Sequence, residues 1–132
     1  MGLNVILVAV GGGIGAACRY LMGVAVGSNE ALMQTIGPFP LSTLIVNVLG
    51  GFVIGILSAL LSSQAADSAR LFAITGFTGG FTTFSTFGLE TLSLMDRGAW
   101  GMAGASVAGN LVFCCIAVAA GRLLGQALVG VK

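Results

Sequence analysis

The chain has 132 residues, 57% of them hydrophobic and 7% charged, with a formal net charge of +1 and a mean hydropathy of +1.09. A soluble domain carries about 25% charged residues, so this composition excludes one and points to bilayer hydrocarbon, where each central charge costs roughly 2.5–3.5 kcal/mol. It also excludes a nucleic-acid footprint, which needs a basic patch. With no histidine in the chain, the commonest general base and metal ligand is missing.

A spanning helix takes about 20 mostly apolar residues, and four segments qualify. The first covers about 3–26 and is interrupted only by Arg19. It is apolar from Leu3 onward, without a basic n-region or a clean cleavage site, so it reads as a retained helix rather than a signal peptide. A polar stretch at 27–30 and a loop ending in Pro38-Phe39-Pro40 lead to the second span, about 41–61. A short connection over 62–67 precedes the third, about 69–95. Asp96-Arg97-Gly98 marks the next turn, and the fourth span covers about 99–124. The expected fold is one all-α integral membrane domain of four transmembrane helices.

The third segment is the odd one. Between Gly76 and Gly88 it holds four glycines and five hydroxyl residues in thirteen positions, a poor continuous helix when each Gly costs about 1 kcal/mol against Ala. Non-helical backbone at membrane depth is tolerated only where it is buried in protein or lines a watery cavity. A helix broken near the midplane, over about 76–83, is therefore expected. Elsewhere Gly11/Gly15, Gly51/Gly55, Gly76/Gly80 and Gly121/Gly125 have small-xxx-small spacing, which lets helices approach closely.

If the helices alternate in direction, Arg70, Arg122 and Lys132 fall on one side, and Arg97 on the other with Arg19 near it. Three against two sets no orientation under the positive-inside rule. A chain without charge bias can insert both ways, which permits an antiparallel homodimer. Four thin helices do not easily enclose a pore alone.

Several residues then stand out. Gly11-Gly12-Gly13-Ile14-Gly15-Ala16 loosely matches a dinucleotide fingerprint, but that motif has meaning only between a strand and a helix. Here it is a packing surface. Arg19 is either a snorkelling anchor or a guanidinium facing an aqueous vestibule that concentrates anions. Thr43, Asn47 and Ser58 share one face of the second span, and Ser106, Asn110 and Cys114 recur at i, i+4, i+8 in the fourth. Such stripes are either interhelical hydrogen-bonding contacts or a polar track donating to a dehydrating anion. Phe84 and Phe87, at i, i+3, are core aromatics or edge-on rings whose positive edges can solvate a small anion. Ser85 and Thr86 lie between them with hydroxyl donors. Glu90 is the one carboxylate well inside a span, open to a proton-coupling role or to pairing with an arginine. Cys18, Cys114 and Cys115 lack metal-ligand spacing and read as small buried hydrophobes.

The run Gly79-Gly80-Phe81-Thr82-Thr83-Phe84-Ser85-Thr86-Phe87 resembles the signature of the Fluc fluoride channels, also called CrcB proteins. Gly13-x-Gly15-x-x-x-Arg19, Thr43-Leu44-x-x-Asn47 and Asn110 agree with it in order, and the similarity covers roughly 5–125. The resemblance implies a fluoride-selective passive channel of the inner (plasma) membrane, which exports cytoplasmic fluoride and gives fluoride resistance. It also implies an antiparallel, dual-topology homodimer with two pores along the subunit interface. Phe84 and Phe87 are similar to the phenylalanines whose ring edges contact fluoride, Asn47 to the pore asparagine, and Arg19 to the vestibule arginine. Gly79 and Thr82 match the positions whose backbone carbonyls hold a central structural sodium ion. Thr43, Ser85, Thr86, Ser106, Asn110 and Cys114 complete the expected track. Two features depart from the pattern: Cys114 stands where many relatives have serine, and the 27–38 loop is long.

Two other readings remain open at this level. A small proton-coupled exporter of the multidrug type needs an embedded carboxylate, usually in the first helix. Here only Glu90 would serve. A non-transporting membrane subunit would leave the Thr-Thr-Phe-Ser-Thr-Phe run without a purpose.

Overall fold

A computed structural model describes residues 1–62 and 67–130. The centre of the expected 62–67 connection, and Lys132 with its side assignment, lie outside the described residues. The chain order is α1 (Gly2–Gly27), α2 (Glu30–Ile36), α3 (Leu41–Leu60), α4 (Asp67–Arg70), a π-helical segment π1 (Leu71–Thr78), α5 (Gly79–Phe81), α6 (Phe84–Asp96) and α7 (Trp100–Val129). Among the described residues there is no strand. Three helices, α1, α3 and α7, are long and apolar enough to cross a membrane, and the protein is an all-α membrane protein.

The stretch between α3 and α7 takes a different path. From Asp67 it runs as one helix that widens to π geometry over Leu71–Thr78 and returns to α at Gly79. Thr82 (φ −75°, ψ 158°) and Thr83 (φ −150°, ψ 112°) are then fully extended before α6 begins. A π segment tends to mark a functional site, and here it leads straight into the break.

The 27–38 loop expected from the sequence is in part a helix. Asn29 accepts a hydrogen bond from Leu32 N–H at 3.0 Å, so it acts as the N-cap of α2, and Glu30 lies in the first turn where it complements the helix dipole. Gly37, at φ 61°, ends the helix in a conformation that side-chain-bearing residues rarely adopt, one residue before Pro38. Two prolines so close to a seven-residue helix hide it in the sequence.

Packing resolves into two seams. Helix α3 lies mainly against α7, and α1 against π1 and α5. Glycines line both. A Cβ on Gly11 or Gly15 would strike the backbone of Phe72 or Phe77, and one on Gly80 the backbone of Gly12. In the other seam, a Cβ on Gly55 would strike the carbonyl of Val118, and one on Gly121 that of Phe52. Lipid offers no hydrophobic force to hold helices together, so close backbone approach takes its place. The buried apolar side chains are accordingly few: Val46, Leu94, Ala103 and Ala117. Leu3, Ile6, Leu111, Ile116, Leu123 and many others face outward, as lipid contact requires. Arg70 closes the far end of α3 by donating to the Leu61 carbonyl at 2.7 Å, a C-terminal cap by a cation.

The seams make a direct prediction. Gly121→Ala should overpack the α3–α7 seam and cost about 1–3 kcal/mol. Gly13→Ala, where an added Cβ meets nothing within 4 Å, should be neutral or stabilise by up to about 1 kcal/mol through helix propensity. Thermal unfolding in detergent micelles distinguishes the two, and equal melting temperatures would contradict the seam.

Candidate functional site: a braced break between two cavities

Asn47 on α3 faces the break. Its Oδ1 accepts from Thr83 N–H at 2.8 Å, and its Nδ2 donates to the Thr83 carbonyl at 3.2 Å. The same Nδ2 donates to Asn110 Oδ1 on α7 at 2.9 Å, and Asn110 Nδ2 donates to the Ser106 carbonyl at 3.0 Å. Three helices are thus tied through two amides. Thr83 is the N-cap of α6: its Oγ1 accepts from Thr86 N–H at 3.2 Å and donates to Thr86 Oγ1 at 2.9 Å. On the other side of the break, Thr82 Oγ1 donates to the Thr78 carbonyl at 3.0 Å, and Thr78 Oγ1 to the Ala73 carbonyl at 2.8 Å.

These side chains capture donors that a continuous helix would use. In an α-helix Thr83 N–H would bond the Gly79 carbonyl and Thr86 N–H the Thr82 carbonyl. Asn47 Oδ1 takes the first donor and Thr83 Oγ1 takes the second. The Gly79 and Thr82 carbonyls are thereby released from their regular partners, as the unwound carbonyls of broken membrane helices are where they ligate cations.

Two cavities flank the break. The larger, about 750 Å³, is bordered by Asn47, Gly79, Thr82, Phe84, Phe87, Asn110, Cys114 and Cys115 among others. The smaller, about 320 Å³, is bordered by Arg19, Tyr20, Ser42, Thr43, Thr86 and Glu90 among others. Thr83 borders both. The Phe84 and Phe87 rings lie 5.4 Å apart and tilted by 53°, so they are not stacked face to face. Phe84 is 84% exposed and projects away from its own helices.

The structure therefore splits the sequence-derived residues into groups. Asn47, Phe84, Phe87, Asn110, Cys114, Gly79 and Thr82 meet at the large cavity, while Arg19, Thr43 and Thr86 meet at the small one. Ser85 is exposed and borders neither. Ser106 is fully buried, and its hydroxyl has no partner among the described residues. Ser58, placed on the Asn47 face, bonds back to the Gly55 carbonyl at 2.7 Å and takes no part. The cysteines correct the reading from sequence: none is buried, and Cys114 and Cys115 border the large cavity. Thr83 and Thr78 hold the backbone around the break through their hydroxyls, and sequence reasoning misses both. The signal for Thr83 is the Thr82-Thr83 pair, since a threonine at an N-cap needs an extended residue before a helix. Glu90 shares the small cavity with Arg19, and its Oε2 is buried without a hydrogen-bond partner among the described residues.

An all-helical fold of membrane-spanning length, with a broken helix braced by amides between two cavities, defines a multi-pass membrane protein with an internal polar site. The profile of the family described as CrcB-like protein, Camphor Resistance (CrcB), matches residues 6–122. The fluoride-specific ion channel FluC of Agrobacterium fabrum (strain C58) is 45% identical over 129 residues, which cover 96% of this chain and 98% of that protein. The proteins of the same name from Shewanella loihica and Ruminiclostridium cellulolyticum are 43% and 41% identical over 128 residues, in each case covering 96% of this chain and 95% of the relative. The chain belongs to the CrcB family.

The N-cap at the break is open to test. Thr83→Val should lose the Thr86 cap and cost about 1 kcal/mol of stability, while Thr83→Ser should keep most of it. Melting curves of the two variants in micelles check this. Equal stability would mean that the hydroxyl does not hold the start of α6.

Proposed function

We propose that this chain is a fluoride-selective passive ion channel that exports cytoplasmic fluoride across the inner (plasma) membrane and so gives fluoride resistance. The observation that carries the reading is near full-length similarity to fluoride-specific channels in a chain that pairs anion-compatible donors with exposed aromatic edges at a helix break. In this reading the segment from α4 to α6 is a fourth pass, broken near the midplane. Two chains assemble antiparallel, and the large, open, uncharged cavity with its projecting Phe84 becomes part of the interface between them.

Fluoride is small and strongly hydrated, so a path must replace its water with donors. Arg19 in the small cavity draws the anion in. Thr86 accepts the Thr83 proton at its Oγ1, which leaves its own proton for the anion. Thr43 flanks the same cavity, and Ser85 lies at the start of α6. Beyond Thr83, the Phe84 and Phe87 edges, Asn47, Asn110 and Cys114 border the larger space, with Ser106 beneath. No ATP motif is present in the sequence, and the driving force is the electrochemical gradient of the trapped anion.

Sodium is the implied structural ion. The Gly79 and Thr82 carbonyls fit it: both are hard oxygen donors, both border the large cavity, and both have lost their regular helical donors to side chains. Two such pairs from antiparallel copies would surround one cation, neutralise carbonyl repulsion and fasten the copies together. Removing sodium in favour of a large organic cation should lower the melting temperature of the purified dimer, and readdition should restore it. A sodium-independent melt would argue against the ion.

Transport is tested with liposomes holding purified protein and loaded with fluoride or chloride. Fluoride should leave within seconds only after a potassium ionophore relieves the voltage, with chloride retained. Fluoride loss that ignores the ionophore and follows a pH gradient would establish coupled exchange through Glu90 instead. Retention of both ions would sink the channel reading.

A further inference from the structure

We infer that Asn47 is not a donor to the permeating anion but the brace that holds the break open, and that Asn110 is the amide with a proton to offer. This rests on the channel reading above and concerns how that same site is built. A primary amide has two N–H protons and one carbonyl, so every hydrogen bond it makes can be counted. Thr83 N–H can only donate, so the Asn47 atom 2.8 Å from it must be the oxygen. The Asn47 nitrogen then faces two acceptors, the Thr83 carbonyl at 3.2 Å and Asn110 Oδ1 at 2.9 Å. Asn110 is fixed in the same way, because its other amide atom meets the Ser106 carbonyl and must be nitrogen. Both Asn47 protons are therefore committed, and its oxygen accepts from Thr83 N–H.

Asn110 differs. Its Nδ2 donates one proton to the Ser106 carbonyl and keeps the second, and the residue borders the large cavity. An anion reaching Asn47 would have to break a bond to Thr83 or to Asn110 and leave that acceptor without its donor. One reaching Asn110 would break nothing.

The brace also has a consequence at the partition. Thr83 is the residue that borders both cavities, and Asn47 bonds both its N–H and its carbonyl, as a neighbouring strand would. Held this way, Thr83 stays extended (φ −150°, ψ 112°) and its hydroxyl stays on the α6 cap. Without Asn47, Thr83 N–H and its carbonyl would lose their partners, the extended pair would loosen, and the separation of the cavities would change. Asn47 is a positioning residue acting through Thr83.

The first measurement uses the wild-type protein. Side-chain amide resonances of Asn47 and Asn110 are followed in micelles while fluoride is titrated against a chloride control. The Asn110 protons should shift with fluoride and the Asn47 protons should stay. A larger shift at Asn47 overturns the inference. The second measurement is hydrogen–deuterium exchange with Asn47→Ala beside liposome efflux. Exchange protection at Thr83 should fall at least tenfold, maximal fluoride efflux should drop tenfold or more, and chloride should begin to leak. The fluoride concentration giving half-maximal efflux should move less than twofold. Unchanged protection at Thr83 with a shifted half-maximal concentration is the signature of a direct donor and sinks the brace. If Asn47→Ala does not fold, the titration of the wild type decides. If wild-type efflux is absent and neither amide responds to fluoride, the channel reading has failed, and protection at Thr83 still judges the brace.

Discussion

A backbone amide in hydrocarbon must find its partner within the protein, and the break at Thr82–Thr83 exists because side chains meet that demand. Asn47 supplies both a donor and an acceptor to Thr83, and the Thr83 hydroxyl supplies the acceptor that Thr86 N–H needs. Without them, the Thr83 and Thr86 N–H groups would lose the partners that hold the break. The cavities, the orientation of the Phe84–Phe87 pair and the freed carbonyls at Gly79 and Thr82 all follow from holding two residues extended where a helix would otherwise run.

The glycine seams are the second condition. For Asn47 on α3 and Asn110 on α7 to bond at 2.9 Å, the two helices must run at close backbone distance. Gly51, Gly55, Gly121 and Gly125 permit that. The α1 seam acts in a related way. Gly11 and Gly15 face the π1 and α5 backbone, so the broken segment is clamped from the side opposite Asn47. The π widening falls within this clamp, where the Thr78 hydroxyl reaches the Ala73 carbonyl five residues back, a spacing that suits the wider turn.

What the sequence disclosed and what it withheld divide along the range of the interactions. Composition alone placed the chain in a membrane as an all-helical protein, because solvent preference is a sum over residues. The central run disclosed the family, since so many hydroxyls and glycines within an apolar span are hard to place elsewhere. Helix α2 was hidden because it is seven residues long and lies between the polar stretch at 27–30 and Pro38-Phe39-Pro40, both of which read as loop. The partner of Asn47 was hidden for a different reason: Thr83 is 36 residues away, and no periodicity links them. The same holds for the separation of Thr43 from Asn47. Four residues apart on one helix, they share a face, yet they border different cavities, because the broken segment passes between them.

The distribution of charge bears on how an anion would travel. Among the residues bordering the small cavity are one cation, Arg19, and one carboxylate, Glu90; the residues bordering the large cavity are all uncharged. A full positive charge deep in low dielectric would bind an anion at several times the strength it has near the surface and hold it there. Conduction needs binding strong enough to replace water and weak enough to release. Ring edges, a threonine hydroxyl and one spare amide proton give partial positive charges of graded strength, with the guanidinium kept at the antechamber. On the proposed path the arginine sets how often an ion arrives, and the neutral donors beyond Thr83 set which ion can leave its water behind.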